Sequence, residues 1–163
     1  MSTIYLSETA NPLLADYFRA GGHELCVIKD TGAMYQPVCS HPDIYLCSLG
    51  IRGPVFFGSA KALGPRYPEN IRYNAACTGR YFIHNLKYTA PELSEAASPF
   101  IKIHVSQGYT KCNTVIVDET SIITSDQGIY KACFGQLDVL LIRPGHVRLR
   151  GFPHGFLGGA SGR

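Results

Sequence analysis

Short apolar runs separated by glycine and proline turns make up most of this chain, and one amphipathic stretch stands near its start. In residues 11–20, Leu13, Leu14, Tyr17 and Phe18 fall at i, i+1, i+4 and i+5, one face of a helix. Gly21-Gly22 supplies its left-handed stop. Residues 24–28 read as a strand, Asp30-Thr31-Gly32 as a turn, and 44–48 and 54–57 as further strands. Residues 58–70 carry Gly64, Pro65 and Pro68 and read as a long loop. Residues 71–76 and 80–84 pair around Thr78-Gly79. Thr89-Ala90-Pro91-Glu92 has the form of a capping box, which predicts a helix over 91–97 and then a strand over 100–105. Residues 114–117 and 121–124 form a hairpin turned at Asp118-Glu119. Ser125 or Asp126 then caps a short helix that stops at Gly135. Residues 138–143 are a nearly continuous apolar strand, of the kind usually covered on both faces, with 146–150 as a hairpin partner after Pro144-Gly145.

The elements recur. Asn74 and Asn113 lie 39 residues apart, each at the start of a strand. The second strands, at Phe82-Ile83-His84 and Ile122-Ile123-Thr124, are offset by 40, and the third, at Ile101-Lys102-Ile103 and Leu140-Leu141-Ile142, by 39. Each copy reads strand, strand, helix, strand, and the N-terminal helix followed by residues 24–28 fits the second half of such a unit. Chance spacing near 40 in an α/β chain is the alternative. The expected fold class is α/β, a single domain over residues 1–163 built from repeated ββαβ units.

Composition narrows the function classes. Of 163 residues, 45% are hydrophobic and 17% charged, enough for a core and too apolar for disorder. The net charge is +3, and Lys and Arg are scattered without a basic block, which argues against nucleic acid as a partner. No apolar run approaches the roughly 20 residues that cross a bilayer. The first ten residues lack the basic start and apolar stretch of a secretory signal, so a cytoplasmic location is expected. Six cysteines with no CxxC pair fit buried free thiols better than disulfides or structural zinc. The spacing of Cys39, His41 and Cys47 matches no zinc pattern, and neither a metal nor a cofactor is expected.

His41-Pro42-Asp43, Tyr67-Pro68-Glu69-Asn70, Tyr73-Asn74-Ala75, residues 107–113, Ile123-Thr124-Ser125-Asp126 and residues 155–162 together resemble the guanidino-group modifying enzyme, or pentein, fold, and within it an uncharacterised bacterial family. The resemblance implies an α/β propeller of ββαβ units around a pseudo-fivefold axis. This chain supplies about three and a half units, so a truncated propeller is expected, with exposed strand edges that favour homo-oligomers.

The resemblance also implies chemistry. Active penteins use a cysteine nucleophile, a histidine acid/base and carboxylates that hold a guanidinium. A thiolate attacks the planar guanidinium carbon, histidine moves the proton, and carboxylates pair with the N–H groups. Cys112 is the candidate nucleophile, although Lys111 stands where a histidine normally precedes that cysteine. Cys112 also fits a small core residue or strand cap. His41 and Asp43 resemble the His-x-Asp pattern, with both side chains on one face of an extended strand; a surface turn is the alternative. Asp126 is a candidate substrate carboxylate or, more simply, a helix cap. Asn74, Lys111 and Asn113 are candidate ligand contacts, although recurrence of the two asparagines favours a structural role. Gly158, Gly159 and Ser161 fit an anion-binding nest of backbone N–H groups or a plain turn. The expected ligand is a small guanidino or amidino compound. A cysteine-dependent hydrolase or amidinotransferase, a non-catalytic binding scaffold and an inactive fragment all remain open.

Overall fold

Local chemistry sets the elements, and sheet pairing sets their extent. The computed structural model describes residues 2–32, 34, 38–149 and 151–162. Strand β1 (Thr3–Ser7), helix α1 (Pro12–Ala20) and strand β2 (Glu24–Ile28) form a βαβ start, with β1 and β2 parallel. Asn11 caps α1 through its side chain, which accepts from the Leu13 N–H, and Pro12 fills the first turn. Sequence patterning placed the helix and β2 but not β1, whose identity rests on pairing residue for residue with β2.

Helix α2 (Pro42–Tyr45) then leads into β3 (Leu46–Ser48), which pairs antiparallel with β4 (Val55–Phe57). The strand expected over 44–48 therefore begins two residues late, because Pro42 and the His41 cap close a helical turn first. Residues 58–75 are largely loop with short 3-10 turns at Ala60–Ala62 and Glu69–Ile71.

Two three-stranded sheets follow. One contains β5 (Ala76–Cys77), β6 (Tyr81–His84) and β7 (Ile101–His104), with α3 (Pro91–Ala96) connecting the last two. The other contains β8 (Thr114–Ile116), β9 (Ser121–Thr124) and β10 (Asp138–Leu141), with α4 (Gln127–Cys133) in the same place. Both pair their first two strands antiparallel and their last two parallel, with the second strand central. Asn74 and Asn113 precede the first strand of each, and each N–H bonds the carbonyl three residues back, Ile71 or Thr110. The chain is thus a mixed α/β protein, and the four small sheets among the described residues remain separate.

Helices α3 and α4 each pack between their own sheet and the preceding unit. Leu93 and Ala97 bury against Phe82 and Cys77 of their own sheet and against Cys47 and Leu49 before it. Ile129 and Cys133 bury against Ile122 and Leu137, and against Ala76, Ile83 and Ile103 of the preceding sheet. Full burial of each such aliphatic side chain is worth about 2 kcal/mol.

Three local expectations give way to tertiary partners. Ala90, not Thr89, is the cap of α3, and no side chain bonds there. The Thr89 hydroxyl is paired with His84 Nδ1 at 2.7 Å, and Glu92 accepts from the Tyr73 hydroxyl instead. The strand expected over 71–76 shrinks to Ala76–Cys77, because the preceding residues turn to point Asn74 inward. Strand β10 alternates exposed and half-buried residues rather than being covered on both faces, and Leu140 is 58% exposed. Residues 146–149 form no strand, and Arg150 lies outside the described residues. All six cysteines are free, and all but Cys26 are buried. No helix among the described residues is long and apolar enough to cross a membrane.

Candidate functional site

The site grows from three separate turns. His41 caps α2: its Nδ1 accepts from the Asp43 N–H at 3.3 Å, so the two residues share a helical turn rather than one face of a strand. With Nδ1 accepting, Nε2 carries the proton and faces the Gly159 carbonyl at 3.3 Å. Asp43 Oδ2 lies 3.8 Å from His41 Nδ1.

Cys112 closes the turn before β8 and is 3% exposed. Its thiol points to Asp43 Oδ2 at 3.6 Å. One ligand-type atom each from His41, Asp43 and Cys112 lies within 4.8 Å of the others, although Cys112 is 69 residues from Asp43. Lys111 Nζ stands 3.9 Å from the same carboxylate oxygen. That ammonium offsets part of the carboxylate's charge.

Asn74 ties the turns together. Its Nδ2 donates to the Asp43 carbonyl at 3.0 Å and to Cys112 Sγ at 3.1 Å, and its Oδ1 accepts from the Cys112 N–H at 3.2 Å. Its own carbonyl accepts from the Lys111 N–H.

The C-terminal 3-10 turn Gly158–Ala160 covers the cluster. The Gly158 carbonyl accepts from Lys111 Nζ at 3.2 Å and from the Ser161 hydroxyl at 3.0 Å. The Gly159 N–H donates to the Cys112 carbonyl. These glycines thus present carbonyls to His41 and Lys111, while the Gly159 amide is already engaged, which fits the plain turn of the two alternatives rather than the anion nest. A Cβ on Gly158 would stand 2.2 Å from the Lys111 carbonyl oxygen, and one on Gly159 would stand 2.8 Å from His41 Nε2. Glycine at both places is what lets the turn approach this closely.

Electrostatics keep the thiol protonated. Burial, then the Asp43 charge, push the Cys112 thiol far above its ordinary range, and the Asn74 N–H and Lys111 offset only part of this. Cys112 in this arrangement is a neutral donor, not a thiolate.

Sequence reasoning named seven residues that meet here: His41, Asp43, Asn74, Lys111, Cys112, Gly158 and Gly159. Two candidates sit elsewhere in the bonding pattern. Asp126 caps α4, accepting from the Ile129 N–H at 2.8 Å, and its other oxygen accepts from Gln107 Nε2. Asn113 donates to the Tyr109 carbonyl and serves its own turn. The role of the two terminal carbonyls had no signal in the sequence, since a glycine pair shows neither which way its peptides face nor what they cover.

Fold and site together define a mixed α/β protein of small sheets, with a Cys/His/Asp cluster, its cysteine buried and the other two half-buried, where three turns meet. The chain belongs to a family of unknown function, DUF6873, whose profile matches residues 50–163. No curated protein and no solved structure matches it.

Proposed function

We propose that this protein is a pentein-like α/β protein that takes a small guanidino or amidino compound at the Cys112, His41 and Asp43 cluster. One observation carries the reading: a thiol, an imidazole and a carboxylate from distant turns stand within 4.8 Å, with the thiol 3.6 Å from the carboxylate. Guanidine chemistry calls for this set. A carboxylate holds the cation, and the cation in turn offsets the negative charge that keeps the thiol protonated. Cys112 would transfer its proton through His41 and attack the guanidinium carbon. Expulsion of ammonia, which takes up that proton, leaves an S-linked thiouronium. Attack by water then releases a ureido product and restores the thiol.

A second reading rests on burial. Cys112 is 3% exposed, Lys111 already pairs with Asp43, and the C-terminal turn lies across the cluster. A non-catalytic scaffold that uses the triad as a polar plug fits those facts.

Charge-selective alkylation separates the two. In the enzyme reading, 2-chloroacetamidine labels Cys112 at least about tenfold faster than neutral 2-chloroacetamide, since one favourable ion pair is worth on the order of 1.4 kcal/mol. Asp43→Asn abolishes that preference, and His41→Ala slows both reagents. Equal, slow labelling of all six cysteines by both reagents identifies the scaffold.

A further inference from the structure

Helices α3 and α4 share one burial rule. In α3 and α4 the third residue and the residue four later are fully buried: Leu93 with Ala97, and Ile129 with Cys133. Each pair is buried because the helix is covered on its outer side by the unit before it. In α1 the same two positions are Leu14 and Phe18, yet no residue of α1 is buried. Leu14 is 42% exposed, and its neighbours Leu13 and Tyr17 are 75% and 72% exposed. Among the described residues no sheet meets the apolar stripe of this helix.

The last sheet shows the converse. Ala76, Ile83 and Ile103 lie side by side across β5, β6 and β7, and α4 covers that row. The matching row across β8, β9 and β10 is Val115, Ile123 and Leu140, in the same register. No helix covers it. Leu140 is 58% exposed where its counterpart Ile103 is 4%. An open groove lined by Ser121, Ile123, Phe134 and Leu140 runs beside it.

We infer that the β8-β9-β10 face is an interaction surface for helix α1 of a second copy of this chain. The α4 helix on the β5-β6-β7 face is the template for that contact. The surface is the sheet face, not a strand edge, and the contact is heterologous, so repetition produces rings or open chains of copies. Both partners are apolar where they meet, and both stay exposed among the described residues. The inference does not depend on the chemistry of the Cys112 cluster.

Sedimentation velocity with two charged variants tests it. The wild-type protein should grow in mean mass with concentration. Leu14→Glu spoils the helix and Leu140→Glu spoils the face, so each alone should be monomeric. An equimolar mixture should give a one-to-one dimer and stop there, because each variant keeps one sound surface. A wild-type protein that stays monomeric up to its solubility limit overturns the proposal. So does association that either variant leaves unchanged, or a mixture that stays monomeric. Circular dichroism checks folding. If Leu140→Glu is unfolded, Leu140→Ser takes its place, with at least a tenfold loss of association expected.

Discussion

Asn74 grips Cys112 at both ends of its amide, with Nδ2 3.1 Å from the thiol sulfur and Oδ1 3.2 Å from the Cys112 backbone nitrogen. The two residues are 38 apart in sequence, about one repeat. The same amide reaches the Asp43 carbonyl, so one side chain joins three consecutive units.

That arrangement sets unequal costs for two asparagines at matching repeat positions. Asn74→Ala removes three hydrogen bonds and leaves the buried Cys112 N–H without its partner, at a cost of about 2–4 kcal/mol. Asn113→Ala removes the bond from Nδ2 to Tyr109, at about 1 kcal/mol. Urea unfolding of the two variants measures the difference. Equal losses would mean that the Asn74 amide does not join the units.

The pH dependence of stability should carry a signature of His84. This residue is fully buried, its Nδ1 pairs with the Thr89 hydroxyl, and burial lowers its pKa from 6.5 to about 4. The folded chain therefore resists the proton that the unfolded chain accepts. Stability is complete above 6.5, falls as pH drops from there towards 4, and levels off below. The loss should be on the order of 3 kcal/mol. Glu92, held low by the Tyr73 hydroxyl, acts below its ordinary 4.5, largely outside that window. Denaturation midpoints at a series of pH values should show the slope, and His84→Gln should flatten it.

The C-terminal turn should loosen on a single methyl. Gly158→Ala sets a Cβ 2.2 Å from the Lys111 carbonyl oxygen and 2.4 Å from that of Thr114, both backbone atoms that cannot rotate away. The turn should lift, with a loss of about 1–3 kcal/mol and faster alkylation of Cys112. Gly162→Ala, whose Cβ meets nothing within 4 Å, is the control and should change neither. A Gly158→Ala protein with wild-type stability and labelling would show that the turn does not seal the cluster.

The amino-acid sequence by itself determined the units that depend on near neighbours. The α1 helix, β2, the β8-β9 hairpin and the Asp126 cap of α4 all follow from periodicity and capping over a few residues. The order strand, strand, helix, strand was legible twice, because turn residues and apolar runs recur near every 39 positions. Seven residues of the cluster could be named one by one, from the motif resemblance and from their chemistry. Their meeting could not, since it requires turns around residues 41, 74, 112 and 158 to converge through long-range pairing. Only the tertiary structure decided that Thr89 serves His84 rather than its own helix, because a fully buried imidazole left without a partner is costly. It also decided that Leu140 faces outward while Ile103 is covered: the two are equivalent in local pattern, and what differs is whether another unit lies above them.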